Sequence, residues 1–307
     1  MKARILVVGS SNTDMIVQVP RLPHSGETIL GGRFVTAAGG KGANQAVGAA
    51  RSGGEVTFIA RVGNDLFGNQ AVSDLVKDGI NTDFIARDEQ HPSGVALIFV
   101  AKDGQNNIAV APGANARLSP ADVNRAAKAF AHTDILLTQL ETPLDTVIAA
   151  AALAVQHKTP VILNPAPAQP LPDALLRCVS ILTPNERETE TLTGIRAKDD
   201  DTAARAADKL HAHGVGTVVI TLGPRGAFVS DKEGKHTVPG FKVKVVDTTA
   251  AGDIFNGALA VALAERRSLL DAVRFANAAA ALSVTHLGAQ ASAPPRDRIE
   301  SLLAKGG

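Results

Sequence analysis

The stretch Ile181-Leu182-Thr183-Pro184-Asn185-Glu186-Arg187-Glu188 runs from an apolar segment straight into a helix start. Residues 181–183 have the length and composition of a buried strand, and Pro184-Asn185 ends it. Asn185 and Glu188 have the spacing of a capping box at a helix N-terminus. Three residues apart, they also share a helix face. An amide and a carboxylate there could hold Mg²⁺ through water, because Mg²⁺ keeps part of its water shell. Both readings stay open at this point.

The same strand-then-helix alternation continues on either side. Residues 56–60, 135–138, 161–163 and 218–221 read as buried strands; segments near 44–52, 67–78, 144–156 and 202–213 read as helices. A further helix opens at Ser119, with Pro120 at its first position and Asp122 in its first turn. This pattern predicts an α/β fold, a mostly parallel central sheet with helices on both faces, in one domain spanning 1–307.

Two regions break the alternation. Residues 12–37 carry short β-like pieces at 15–19, 28–30 and 33–36, and residues 93–112 carry 94–101 and 107–111 around the hairpin signal Lys102-Asp103-Gly104. A lone hairpin is marginal in water. The two regions are therefore expected to form one small β-sheet, a lid that packs over the site or against a second subunit.

Composition limits the partners. With 45% hydrophobic and 20% charged residues in 307, the chain reads as a soluble globular protein with a substantial core. A net charge of +1 gives no strong field toward nucleic acid or an anionic membrane, so an anionic substrate must be met by a local site. The run Ile5-Leu6-Val7-Val8-Gly9 is too short for a signal-peptide core, and the most apolar helical stretch, 272–284, is too short to span a bilayer. Trp and Tyr are absent, which leaves Phe alone for base stacking. The single cysteine, Cys178, reads as a small buried packing residue and fits a reducing compartment. A cytoplasmic protein without nucleic-acid or membrane partners is expected.

Three more motifs complete the set. Ala38-Gly39-Gly40-Lys41-Gly42-Ala43-Asn44-Gln45 places glycines before a helix, where backbone can approach a ligand closely; it also reads as a plain Gly-rich turn. It is not a Walker A loop, because no Ser or Thr follows Gly-Lys. Asp247-Thr248-Thr249-Ala250-Ala251-Gly252-Asp253 leads into the apolar pattern of 255–263, a loop opening into a helix whose free N–H groups form an anion site. Asp253 there is either a proton acceptor or a first-turn acid stabilised by the helix dipole. Thr221-Leu222-Gly223-Pro224-Arg225-Gly226 is a strand end opening into a turn, where ligands bind in such sheets.

Taken in order, these motifs resemble the ribokinase family, also called the phosphofructokinase-B type of carbohydrate kinases. The resemblance also takes in Val62-Gly63-Asn64-Asp65-Leu66-Phe67-Gly68, Gln139-Leu140-Glu141 and Asn164-Pro165-Ala166-Pro167, and it covers nearly the whole chain. It implies ATP-dependent phosphorylation of a small sugar, D-ribose at its 5-hydroxyl first, with 2-deoxyribose or fructose as alternatives. It implies Asp253 as the base and the N–H groups of Ala250, Ala251, Gly252 and Asp253 as the anion hole. Asn12, Asp14, Gly40, Lys41, Asn44 and Glu141 match sugar-binding positions. Asn185, Glu188, Thr221, Gly223, Gly226, Gly252 and Asn277 match ATP-binding positions, with Mg²⁺ carried by the nucleotide. Asp247, Thr249, Ser283, His286, Gly288 and Ser292 match a K⁺ loop. Apart from the resemblance, residues 12–37 and 93–112 alternate apolar positions with too little chain to bury both faces, so a homodimer through the two lids is expected. The family's usual Gly-Ala-Gly-Asp is Ala250-Ala251-Gly252-Asp253 here. Alanine keeps the N–H, so the anion hole is expected to survive if Ala250 avoids positive φ.

Two other functional classes fit the sequence less well. A sugar- or nucleotide-sensing module would not need Asp253 beside an anion loop. A dinucleotide-dependent oxidoreductase would need Gly-x-Gly-x-x-Gly after the first strand, which Gly9-Ser10-Ser11-Asn12 does not supply.

Overall fold

Runs of two to nine residues, most of them apolar, become strands in the computed structural model, which describes every residue except Met1, Gly31, Gly104 and Gly307. The strands among the described residues are β1 (Arg4–Val8), β2 (Asn12–Val19), β3 (Arg33–Gly39), β4 (Glu55–Gly63), β5 (Ile85–Asp88), β6 (Gly94–Ala101) and β7 (Asn106–Ala111), followed by β8 (Ile135–Thr138), β9 (Val161–Leu163), β10 (Ile181–Leu182), β11 (Thr217–Thr221), β12 (Ala227–Asp231) and β13 (Gly234–Val238). The large sheet has the order β13-β12-β11-β10-β9-β8-β1-β4-β5. It is parallel from β11 to β5, and β12 and β13 add an antiparallel edge. Fully buried strands such as Leu136-Leu137 and Val161-Ile162-Leu163 follow from cover on both faces. One core cluster, with Phe58, Phe255 and Phe275, packs on one face; the other, with Leu6, Leu136 and Phe130, packs on the opposite face.

Strand order reverses at β1: β4 and β5 extend one way, β8 to β11 the other. Such a switch point leaves a crevice at the carboxyl ends of the strands. Several motifs singled out in the sequence follow those ends, with Ser10 after β1, Glu141 after β8, Asn164 after β9, Asn185 after β10 and Gly223 after β11; Ala38–Gln45 instead follows β3 of the small sheet, and Asp247–Asp253 follows the edge strand β13.

The small sheet has the order β3-β2-β6-β7, with β2 and β6 parallel at its centre. The two irregular regions therefore join, as their patterning predicts. Segment 28–30 is not a strand. Glu27 takes both the Arg21 guanidinium and the His24 N–H, and residues 28–30 after this turn pair with no strand, with Leu30 89% exposed. Gly104 of the hairpin signal lies outside the described residues. Ser119 caps its helix as expected, in a reciprocal box with Asp122. Cys178 is half-buried at the edge of a core cluster rather than enclosed. No helix of the described residues is long and apolar enough to cross a membrane.

Candidate active site

Two helices cross at the base of the crevice, Lys41–Arg51 and Ala251–Ala264. The second is apolar nearly all round, as a helix buried between neighbours must be. Their backbones meet at Gly48 and Gly257. A Cβ on Gly257 would lie 2.5 Å from the Gln45 carbonyl oxygen and 2.6 Å from the Ala49 nitrogen, so only glycine permits the approach. The crossing brings the first turn of each helix together.

Asp253 is the result. Its carboxylate is buried and accepts from Asn44 Nδ2 at 3.0 Å on one oxygen and from Gln45 Nε2 at 3.1 Å on the other. Burial pushes its pKa up, while the Lys41 ammonium and the two amides pull it back. Asp253 in turn is the main cause that raises the Lys41 pKa. Glu141 Oε2 accepts from the Ser10 hydroxyl at 2.6 Å and from the Lys41 backbone N–H at 3.0 Å, pinning the helix start to β1 and β8.

Asn12 and Asp14 lie on β2, where the small sheet leaves the large one. Asn12 is buried and accepts from Asn115 Nδ2 at 2.8 Å. Asp14 lies against Gly39, where a Cβ would come within 2.4 Å of its oxygens. Burial first, then the charges of Glu141 and Asp253, push the Asp14 carboxyl up to about 6. Gly40, at φ 88°, turns the chain from β3 into the helix beside Asn12. The sugar-matching residues Asn12, Asp14, Gly40, Lys41, Asn44 and Glu141 thus converge on Asp253 from one side.

On the other side is a cleft of about 400 Å³. Thr221, Gly223, Gly226, Gly252 and Asn277 line it with apolar Phe241, Val245 and Ala281. Asn277 is held by its amide donating to the Val238 and Pro239 carbonyls at 3.1 and 3.2 Å. Asn185 and Glu188 form the reciprocal cap their spacing predicts, with Glu188 accepting from the Asn185 N–H and from its Nδ2, both at 2.8 Å. Burial raises the Glu188 pKa. The capping reading therefore holds in full and leaves a buried, electron-rich carboxylate near Lys41 and Asp253. Neither residue lines the cleft.

Ala250 departs from expectation. It adopts the left-handed conformation, φ 58° and ψ 11°, at the N-cap of the helix. The Ala251 N–H bonds the Thr248 carbonyl and the Ile254 N–H bonds the Ala250 carbonyl, a tight turn that demands positive φ at this point. An alanine there costs about 1–2 kcal/mol that glycine avoids. The turn forms nonetheless, and Ala251 and Gly252 line the cleft.

In the K⁺-matching loop, Asp247 accepts from the Thr249 N–H at 2.9 Å and hydroxyl at 2.6 Å, and from the Gly288 N–H at 2.9 Å. Those three residues are brought together. Ser283 and Ser292 are buried and turn their hydroxyls onto the carbonyls of Ala280 and Ala289; His286 is exposed, its ring on Thr285.

Sequence reasoning missed a buried amide network. Gln139 Nε2 donates to Gln45 Oε1, Gln45 Nε2 to Asn164 Oδ1 at 3.1 Å, and Asn164 Nδ2 to the Thr183 carbonyl at 3.0 Å. The Thr183 hydroxyl donates to Asn256 Oδ1 at 2.6 Å, and Asn256 Nδ2 to the Gly252 carbonyl at 2.8 Å. The signal was present: all but Thr183 and Asn256 fall in glycine, glutamine or asparagine motifs at strand ends or a helix start.

Residues 2–296 match the model of the pfkB family carbohydrate kinases. The chain is 47% identical over 303 residues to the ribokinase of Haemophilus influenzae, covering 99% of each chain. It is 36% identical over 301 residues to the deoxyribokinase of Salmonella typhi, covering 98% of each. The solved structure of the Arabidopsis thaliana ribokinase complexed with ribose and ATP matches at a TM-score of 0.92 and 35% identity, over 99% of both chains.

Proposed function

We infer the reaction from one premise: the chain belongs to the pfkB family of carbohydrate kinases. It is a phosphotransferase that moves the γ-phosphoryl of ATP to the 5-hydroxyl of D-ribose, giving ribose 5-phosphate and ADP. The observation that carries this reading is Asp253: a buried carboxylate at a helix N-terminus, with a polar pocket on one side and a largely apolar cleft on the other.

In the proposed mechanism Asp14, Asn12, Lys41, Asn44 and Glu141 bind ribose hydroxyls and orient the 5-hydroxyl toward Asp253. The hydroxyl oxygen attacks the γ-phosphorus, its proton passes to Asp253, and the bond to the β–γ bridging oxygen breaks as ADP leaves. The N–H groups of Ala250, Gly252 and Asp253 stabilise the charge on the transferring group, the Ala251 N–H being already given to the Thr248 carbonyl, and positioning with charge neutralisation suffices for this chemistry. Thr221, Gly223, Gly226 and Asn277 bound the nucleotide cleft. The donor set suits a divalent ion that arrives on ATP: no cluster of three acidic, His or Cys side chains could cage a metal among the described residues, and Glu188 and Asn185 offer a carboxylate and an amide for outer-sphere contact. Mg²⁺ would neutralise charge on the β- and γ-phosphates. The reaction is assigned to the cytoplasm, where ATP is held.

A coupled assay of ADP release with ribose, 2-deoxyribose, fructose and nucleosides tests the reading. Ribose should have the highest kcat/KM. A higher value for 2-deoxyribose would favour the second reading, which the deoxyribokinase likeness supports at lower identity.

K⁺ is the proposed activator, ordering the loop that presents Ala250–Asp253. Asp247, Thr249 and Gly288 already join the two segments, and Ser283, His286 and Ser292 flank them. Replacing a large organic cation by K⁺ at equal ionic strength should raise kcat; an unchanged rate would remove the cation from the mechanism.

The proposed assembly is a homodimer through the small sheets. Phe34, Leu97, Ile108 and Val110 are exposed on them, and β7 is exposed along its length, an apolar area that water disfavours. Light scattering should give twice the chain mass, and a monomer mass at all concentrations would contradict it.

A further inference from the structure

We propose that Gln45 is a positioning residue that holds the Asp253 carboxylate in place for proton transfer, oriented through a relay of amides anchored on the Thr183 carbonyl. The proposal rests on the reading of Asp253 as the base.

Gln45 is 0% exposed, so it does not touch a sugar or nucleotide. Its orientation follows from a fixed point. The Thr183 carbonyl is backbone at the end of β10 and can only accept. Asn164 must therefore present Nδ2 to it, at 3.0 Å, which turns Asn164 Oδ1 toward Gln45. Gln45 must then present Nε2 to that oxygen, at 3.1 Å, and the same amide nitrogen meets Asp253 Oδ1, also at 3.1 Å. Gln139 closes the far end by donating to Gln45 Oε1. Flipping the Gln45 amide would set its oxygen against two acceptors, Asn164 Oδ1 and Asp253 Oδ1, whatever Gln139 does. One rotamer is left, and it donates to the carboxylate.

Two consequences follow for the reaction. Asp253 is gripped on both oxygens, by Asn44 and Gln45, so its lone pair toward the sugar keeps one direction. Each donated N–H also favours the ionised form, the form a base needs, against a burial that disfavours it. The charged groups that bear on Asp253 are Lys41, Glu141, Glu188 and Asp14. All four remain in the variants below, so a shift in pH dependence reads the amide alone.

The test compares Gln45→Met, Gln139→Met and Asp253→Asn by full pH profiles of kcat with ribose and ATP saturating. Gln45→Met keeps the volume and removes the donor. Its plateau kcat should fall about tenfold and its acid limb should move to higher pH by about one unit, with both KM values within about threefold of wild type. Gln139→Met should move the limb the same way by less, and it stands as the deciding variant if Gln45→Met does not fold. Unmoved limbs, or losses that appear in KM instead, would overturn the proposal. If Asp253→Asn kept wild-type turnover, the base assignment itself would fall; if Asp253→Asn collapsed while the Gln45 and Gln139 limbs stayed in place, only this proposal would.

Discussion

Asp253→Asn is expected to lose on the order of 10²–10⁴ in kcat, the range typical of removing a general base. The protein should stay folded and keep its affinity for both substrates, for a reason visible in the site. Asp253 faces two amide donors, and asparagine can accept from only one of them while its own NH₂ meets the other. Asn44 can resolve the conflict by turning its amide, because Asn44 Oδ1 is buried without a partner and would then accept from residue 253. The carboxylate is also buried with its pKa raised, so its charge opposes folding at neutral pH. A neutral amide removes that penalty. The Lys41 ammonium loses its main favouring charge at the same time, so thermal unfolding at pH 7 to 8 should show the variant close to the wild type, while stopped-time assays show turnover near background. Turnover close to wild type in a pure sample would remove Asp253 from the mechanism.

Asp14→Ala should weaken ribose by about 10²-fold in kcat/KM and narrow its advantage over 2-deoxyribose. A carboxylate left facing a missing hydroxyl is unpaired in a partly buried site, which penalises the deoxy sugar; removing the carboxylate removes the discrimination. The raised pKa adds a signature. With its carboxyl pushed up to about 6 by burial and by Glu141 and Asp253, Asp14 in the free protein loses its charge as pH falls through 6. The ionised form is the better acceptor, so ribose Kd measured by calorimetry should rise below pH 6 and be nearly level in Asp14→Asn. A wild-type Kd that stays flat from pH 8 to 5 would separate Asp14 from sugar binding.

The sequence makes the strand ends legible because each apolar run stops on a residue that cannot continue it, and the crevice lies where those runs stop. It does not reveal β12 and β13. Gly234-Lys235-His236-Thr237 is polar edge strand, half-solvated, and its pairing is set by neighbours rather than by pattern. Residues 28–30 have strand-like chemistry, overridden by the Arg21–Glu27 pair that closes the turn before them. Gln45 is hidden for a geometric reason. Successive helix residues point about 100° apart, so periodicity alone argues that Asn44 and Gln45 cannot serve one group. They do because Asp253 sits at the crossing of two helices, between the two directions, and the close contact at Gly48 and Gly257 puts it there. The left-handed Ala250 is likewise illegible, since alanine is the residue least suggestive of such a turn.

A synthetic peptide of residues 247–257 would spell the whole Asp247–Asp253 motif and not hold its shape. Released from the protein, Ala250 relaxes to the right-handed side, because the turn's own local hydrogen bonds give way to water while the cost of the left-handed alanine remains. What holds the turn lies elsewhere in the chain: Gly288 clasping Asp247, Asn256 tied to Thr183, and Gln45 pressed against Gly257. Grafting these eleven letters onto another helix start would transplant a spelling rather than a phosphate cradle. The same text met in an unrelated chain should be weighed only together with the distant residues that give it form.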